Sequence, residues 1–350
     1  MLPYFYILIL SLFIAWIYHK TRSLPIFLVL CVILAVFVGL RSNAVGTDSG
    51  GYSRIFLSMG YYSNLHDAIF NISTEKGWNA LNWILYQLCP RYWFFFLVVG
   101  FLTTIGSMSL IKNLSPIPYI SVFFYITLGL YLFGFAGMRQ GLSISVYALS
   151  YRYLIDRDMI KYFIIVLIAA CFHQTALIAL PLYFVFTLEF SNLKIVLIAI
   201  GAAILGLLID DVMSFLTTLE DRYEVYNEIQ GGGNLFALFY FIMMLFFWTQ
   251  RGEINEEHIR KYDTMFMMLV VGSMIYLVVT MSGLYGEVTR LALYFQTAII
   301  LLWAYLYAYR KRKLNPIFSL CVIVAHVMYL YIYLKKIGGI VPYTMNIMFN

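Results

Sequence analysis

Three side chains able to accept a proton near neutral pH stand out in an otherwise apolar chain: Asp48, Glu75 and His173. A carboxylate or a neutral imidazole placed beside a sugar hydroxyl removes its proton as the hydroxyl attacks. Histidine has the most suitable unperturbed pKa, about 6.5, but sequence position does not separate it from the two carboxylates. The choice of base among the three stays open. Four arginines, Arg41, Arg139, Arg222 and Arg290, carry planar forks that match phosphate oxygens with bidentate, charge-assisted bonds. Gln140 adds an amide beside Arg139, and Tyr52, Tyr223 and Tyr226 offer rings on which sugars stack. A base, several phosphate-binding forks and aromatic platforms are the equipment for glycosyl transfer from a lipid-linked pyrophosphate donor. The sequence contains no P-loop and no GxGxxG turn, which argues against a nucleotide-driven enzyme. No compact His/Cys/Asp/Glu cluster suggests a metal, and no cofactor is expected.

Each residue also has a plainer reading. An arginine at a helix end is most often an interfacial anchor. Val45-Gly46-Thr47-Asp48 is also a simple Asx-capped turn, and a lone histidine is more often a packing residue than a catalyst. Arg139 resists this treatment, because it lies between two apolar runs with almost no loop. An arginine inside a span costs about 2.5–3.5 kcal/mol on insertion scales, so it faces a partner or a wet cavity.

The elements that must position these residues follow from composition. The chain has 350 residues, 63% hydrophobic and 11% charged, where soluble domains average about 25% charged. This excludes a soluble enzyme, a DNA-binding domain and a disordered chain. A spanning helix needs about 20 apolar residues, so the chain holds about ten to twelve spans as a single transmembrane domain, 1–350. Apolar runs place them near 2–18, 24–40, 93–111, 117–136, 138–155, 194–209, 235–249, 264–281, 288–309 and 315–334. Residues 78–90 suit a half-helix. Residues 160–188 suit a broken hairpin whose legs meet at His173. Two larger outer loops, 41–77 and 210–234, complete the layout. The first segment has no basic leader or clear cleavage site and is expected to be a span, not a removable signal.

With the amino terminus outside, most lysines and arginines fall in cytoplasmic segments, and Arg310–Lys313 is the strongest anchor. The net charge of +6 therefore reports orientation and no nucleic-acid partner. The same layout gathers the chemically interesting residues on the outer side, which no part of it was chosen to do. The four cysteines stand singly and are expected to be packing residues.

These residues carry a resemblance. Arg41…Val45-Gly46-Thr47-Asp48…Tyr52 resembles the signature of the EpsG family of polysaccharide polymerases, related in role to the Wzy O-antigen polymerases. Glu75-Lys76-Gly77-Trp78, Arg139-Gln140, Phe172-His173-Gln174-Thr175-Ala176, Arg222-Tyr223…Tyr226, Arg290…Tyr294-Phe295 and Pro342-Tyr343 resemble its later elements in order. The resemblance implies an all-α polytopic integral membrane protein with a periplasm-facing cavity, resembling lipid-carrier-dependent (GT-C-like) glycosyltransferases. It implies joining of oligosaccharide repeat units carried on undecaprenyl pyrophosphate at the periplasmic face of the inner membrane, as donor and acceptor, to make O-antigen or a related surface polysaccharide. A chain-length regulator is the implied partner. A lipid-linked oligosaccharide flippase or an O-antigen ligase would need similar cationic residues; a flippase would string its charges along a path through the membrane.

Overall fold

The computed structural model describes residues 1–207, 234–282, 287–336 and 339–346. Among them there are helices and no strands beyond isolated bridges. In chain order the first helices are α1 (Leu2–Thr21), α2 (Leu24–Gly39), α3 (Ser49–Ser58), α4 (Leu65–Phe70), α5 (Lys76–Leu88) and α6 (Tyr92–Leu114). Next come α7 (Pro118–Thr127), α8 (Leu130–Ala136), α9 (Met138–Ala148), α10 (Tyr151–Ile155), α11 (Met159–Ala170), a 3₁₀ turn at Gln174–Ile178, α12 (Ala179–Thr187) and α13 (Asn192–Leu207). The remainder are α14 (Asn234–Gln250), α15 (Glu256–Ser282), α16 (Glu287–Arg290), α17 (Leu293–Gln296), α18 (Ile299–Tyr309) and α19 (Pro316–Lys336).

Among the described residues five stretches are long and apolar enough to cross a membrane: Leu2–Thr21, Tyr92–Leu114, Leu235–Glu253, Glu256–Val279 and Pro316–Lys336. The pair α7 and α8, bent by 43°, makes a sixth if counted as one span. Several long apolar helices make this a multi-pass membrane protein. The number that qualifies among the described residues is below the ten to twelve expected. The physical reason lies in the breaks. Gly129, at φ 77°, splits the expected span at 117–136, and Gly137 separates α8 from α9. Of the other apolar helices, α2 and α11, at 16 and 12 residues and 1.5 Å per residue, fall short of a hydrocarbon core about 30 Å thick.

The described chain divides into two compact units, one of residues 1–180 with 313–350 and one of 181–312. In the first, α2 packs on α6 where glycines let the backbones approach: a Cβ on Gly39 would lie 2.5 Å from Leu97 Cα. An aromatic core of Phe56, Trp78, Phe95, Phe96, Met138 and Leu142 joins α3, α5, α6 and α9, with Tyr52 and Phe172 against its edge. In the second unit α15 is the central helix, packed by α13, α14, α17 and α18. Its entry is fixed by a fork-to-carboxylate pair in which Arg251 donates to Asp263 at 2.7 and 2.9 Å.

Candidate functional site

The site grows from three short stretches of the first unit, each anchored by a neighbour in the aromatic core. Trp78 lies three residues after Glu75, Met138 immediately precedes Arg139, and Phe172 immediately precedes His173; the first two are buried in that core and Phe172 packs against its edge. Burying them fixes the three polar residues at its edge.

Glu75 occupies the N-cap position of α5, where the helix dipole favours a negative charge. The loop before it is held by Asn79, whose amide donates to the carbonyls of Ile69 at 3.3 Å, Ile72 at 3.2 Å and Thr74 at 3.1 Å. The Thr74 hydroxyl in turn donates to Asn79 Oδ1. His173 sits where the helical hairpin breaks. α11 ends at Ala170, and the chain turns back so that the Tyr162 hydroxyl donates to the Ala179 carbonyl at 3.0 Å. The turn docks on α5: the Trp78 amide donates to the Cys171 carbonyl at 3.2 Å. Gly77 permits this approach, since a Cβ there would meet that oxygen at 2.6 Å. Ser143 of α9 ties down the same turn, donating to Ala169 O at 2.8 Å and His173 O at 3.4 Å.

The three side chains then meet. Arg139 Nη1 donates to Glu75 Oε2 at 2.8 Å, and His173 Nδ1 pairs with Glu75 Oε1 at 2.9 Å. The Gln174 amide donates to the same Oε1 at 3.2 Å. The Glu75 side chain is 8% exposed and that of Arg139 is 23% exposed. Burial pushes the Glu75 carboxyl up, but the hydrogen bond from His173 and the Arg139 charge outweigh it and hold the group at about 2. Glu75 is thus a fixed anion, and the rest of the Arg139 fork makes no bond among the described residues.

The other expected residues fall in different places. Arg41 is fully buried and spent on the protein itself. It donates to Val45 O at 3.2 Å, Val38 O at 2.5 Å, Ser49 Oγ at 3.3 Å and Phe135 O at 3.3 Å, with Phe96 and Phe135 rings against its guanidinium. The turn it holds requires Gly46, at φ 103°, where a Cβ would collide with Phe135 O. The C-terminal tail clasps this turn. The Ser42 amide donates to Thr344 O at 2.8 Å, the Asn346 amide donates to Leu40 O at 2.7 Å, and the Tyr343 ring stacks on Phe37 at 4.4 Å. Asp48 caps α3 in sequence only: its half-buried carboxylate makes no hydrogen bond among the described residues. Tyr52, one turn along α3, meets Trp78 edge-on at 5.7 Å. Gln140 is buried in the first turn of α9. Arg290 ends α16 in the second unit. Arg222, Tyr223, Tyr226 and nearly all of the 210–234 loop lie outside the described residues.

A family profile, that of the EpsG family, matches residues 24–345, a stretch that holds all of these positions. The chain belongs to the EpsG family. EpsG is a Wzy-like polysaccharide polymerase family, so the resemblance carried by the spaced motifs is confirmed over nearly the whole chain. No curated protein and no solved structure matches the chain. Within the EpsG-family stretch, sequence reasoning missed Gly77, Asn79, Ser143 and the Gln174 amide as builders of the site. Gly77 and Gln174 stood inside the quoted motifs, and Asn79 left a further signal, a polar residue on the buried face of an amphipathic helix.

Proposed function

We infer that this EpsG-family chain is a glycosyltransferase that polymerises oligosaccharide repeat units carried on undecaprenyl pyrophosphate. The growing chain leaves its lipid carrier and joins the next lipid-linked unit at the periplasmic, outer face of the inner membrane. The observation that carries the reading is Arg139: a half-buried fork, oriented by Glu75 through one nitrogen, with its remaining N–H groups free among the described residues. Such a fork receives a pyrophosphate oxygen and stabilises the leaving charge. Arg290 and Arg222 carry forks of the same phosphate-binding chemistry. Arg41 serves as scaffold for the turn that presents Asp48. Tyr52, Tyr223 and Tyr226 are suited to sugar rings.

The test is genetic complementation of a deletion strain with expression checked. Wild-type protein should restore long surface polysaccharide, and Arg139→Ala should leave single-repeat glycolipid on the surface. Loss of all repeat units outside the cell on deletion would instead favour a flippase, and full-length polymer left on its lipid carrier would favour a ligase. Normal polymer from stably expressed Arg139→Ala would remove the pyrophosphate role.

A further inference from the structure

Glu75 and His173 touch, and their geometry divides the acid–base work between them. Glu75 has both oxygens engaged: Oε1 with His173 Nδ1 and the Gln174 amide, Oε2 with Arg139. Three of about four lone-pair directions are taken, while the two side chains are alike in burial, Glu75 8% and His173 10% exposed. A carboxylate held at about 2 is also a weak proton acceptor at neutral pH. His173 is bound through one ring nitrogen, and Nε2 makes no bond among the described residues. An imidazole that donates Nδ1–H to a carboxylate presents its lone pair on Nε2.

We propose that Nε2 of His173 is the base that takes the proton from the acceptor sugar hydroxyl, and that Glu75 is its positioning residue. This rests on the reading of the site as a glycosyl-transfer centre. The acceptor oxygen bonds to the donor's anomeric carbon as its proton passes to Nε2. The anomeric C–O bond breaks, and the lipid pyrophosphate leaves with the electron pair. The imidazolium, stabilised by the Glu75 carboxylate, then returns its proton to water. Among the described residues the charged group bonded to the His173 ring is Glu75 at the head of α5, whose other oxygen pairs with Arg139 from α9, and the neutral Ser143 hydroxyl of α9 donates to the His173 carbonyl.

The geometry makes two measurements decisive. The first uses full-length protein in lipid nanodiscs and single-repeat glycolipid extracted from a strain deleted for the gene. Glu75→Gln keeps the shape and removes the charge, leaving the imidazolium to face Arg139 alone. Its kcat should fall about tenfold or more with KM within about twofold. Glu75→Asp should recover part of the rate. Wild-type kcat in Glu75→Gln overturns the proposal, as does polymerisation by His173→Asn.

The second needs no turnover. With ¹⁵N-labelled histidine the protein has five imidazoles, and the His173→Asn difference spectrum assigns one. In alkaline buffer His173 should carry its proton on Nδ1 and a bare Nε2. An Nε2–H tautomer in a polymerising wild-type protein overturns the Glu75–His173 assignment alone. The expected tautomer in a folded wild-type protein that joins no repeat units overturns the polymerase reading, and the base assignment with it.

Discussion

Arg139 and Glu75, 64 residues apart in sequence, form an ion pair at 2.8 Å that joins the head of α9 to the head of α5. Removing one partner leaves the other charge in a largely dry site, which costs about 3–5 kcal/mol when both are buried and less here because Arg139 is part-exposed. A double-mutant cycle of Arg139→Gln and Glu75→Gln, followed by thermal melts in detergent, should show a coupling of about 1 kcal/mol or more. Additive effects would mean that the pair does not hold the two helices together.

Acid should loosen the same junction. Glu75 sits at about 2 in the folded protein against an ordinary value of 4.5. Its contribution is complete above the ordinary value and is lost as pH falls towards the folded one. Melting temperature should therefore drop between about pH 5 and about pH 3 more steeply in the wild type than in Glu75→Gln. Parallel curves for the two proteins would contradict this.

Two glycines should respond in opposite ways to alanine. At Gly77 the new methyl would lie 2.6 Å from the Cys171 carbonyl, so Gly77→Ala should lower stability by about 1–3 kcal/mol and misplace His173. Gly51 is helical in α3 and a Cβ there meets nothing within 4 Å. Gly51→Ala should be neutral or stabilise by up to about 1 kcal/mol. Comparative melts, with polymer length measured in parallel, separate the docking requirement from helix propensity.

Arg41 and Arg290 should separate scaffold from substrate binding. Arg41→Ala opens a buried turn held by four hydrogen bonds, and membrane yield and melting temperature should fall together. Arg290→Ala should express normally and shorten the polymer. A well-folded, normally expressed Arg41→Ala protein with short polymer would move Arg41 to the substrate.

The membrane class was legible in composition, and so was the need for a partner at Arg139, since an arginine between two apolar runs must be compensated. The identity of that partner was not, because nothing in the spacing of Glu75, Arg139 and His173 reveals that the neighbours Trp78 and Met138 share one core with Phe172 against its edge. Arg41 resembled a phosphate fork for the same reason: its carbonyl partners are created by a left-handed turn at Gly46 and by Phe135, far away in sequence. The break of the expected span at 117–136 was not legible, because Gly129 and Gly137 end helices without interrupting the apolar run.

The central claim is that the Glu75–Arg139–His173 cluster joins lipid-linked repeats. The most direct test reconstitutes the purified protein with its single-repeat glycolipid and follows product length and released undecaprenyl pyrophosphate together. The account predicts a ladder of products with one undecaprenyl pyrophosphate freed per repeat joined, abolished in His173→Asn and Arg139→Ala proteins that remain folded. No ladder from folded wild-type protein, or an undiminished ladder from those two variants, would contradict it.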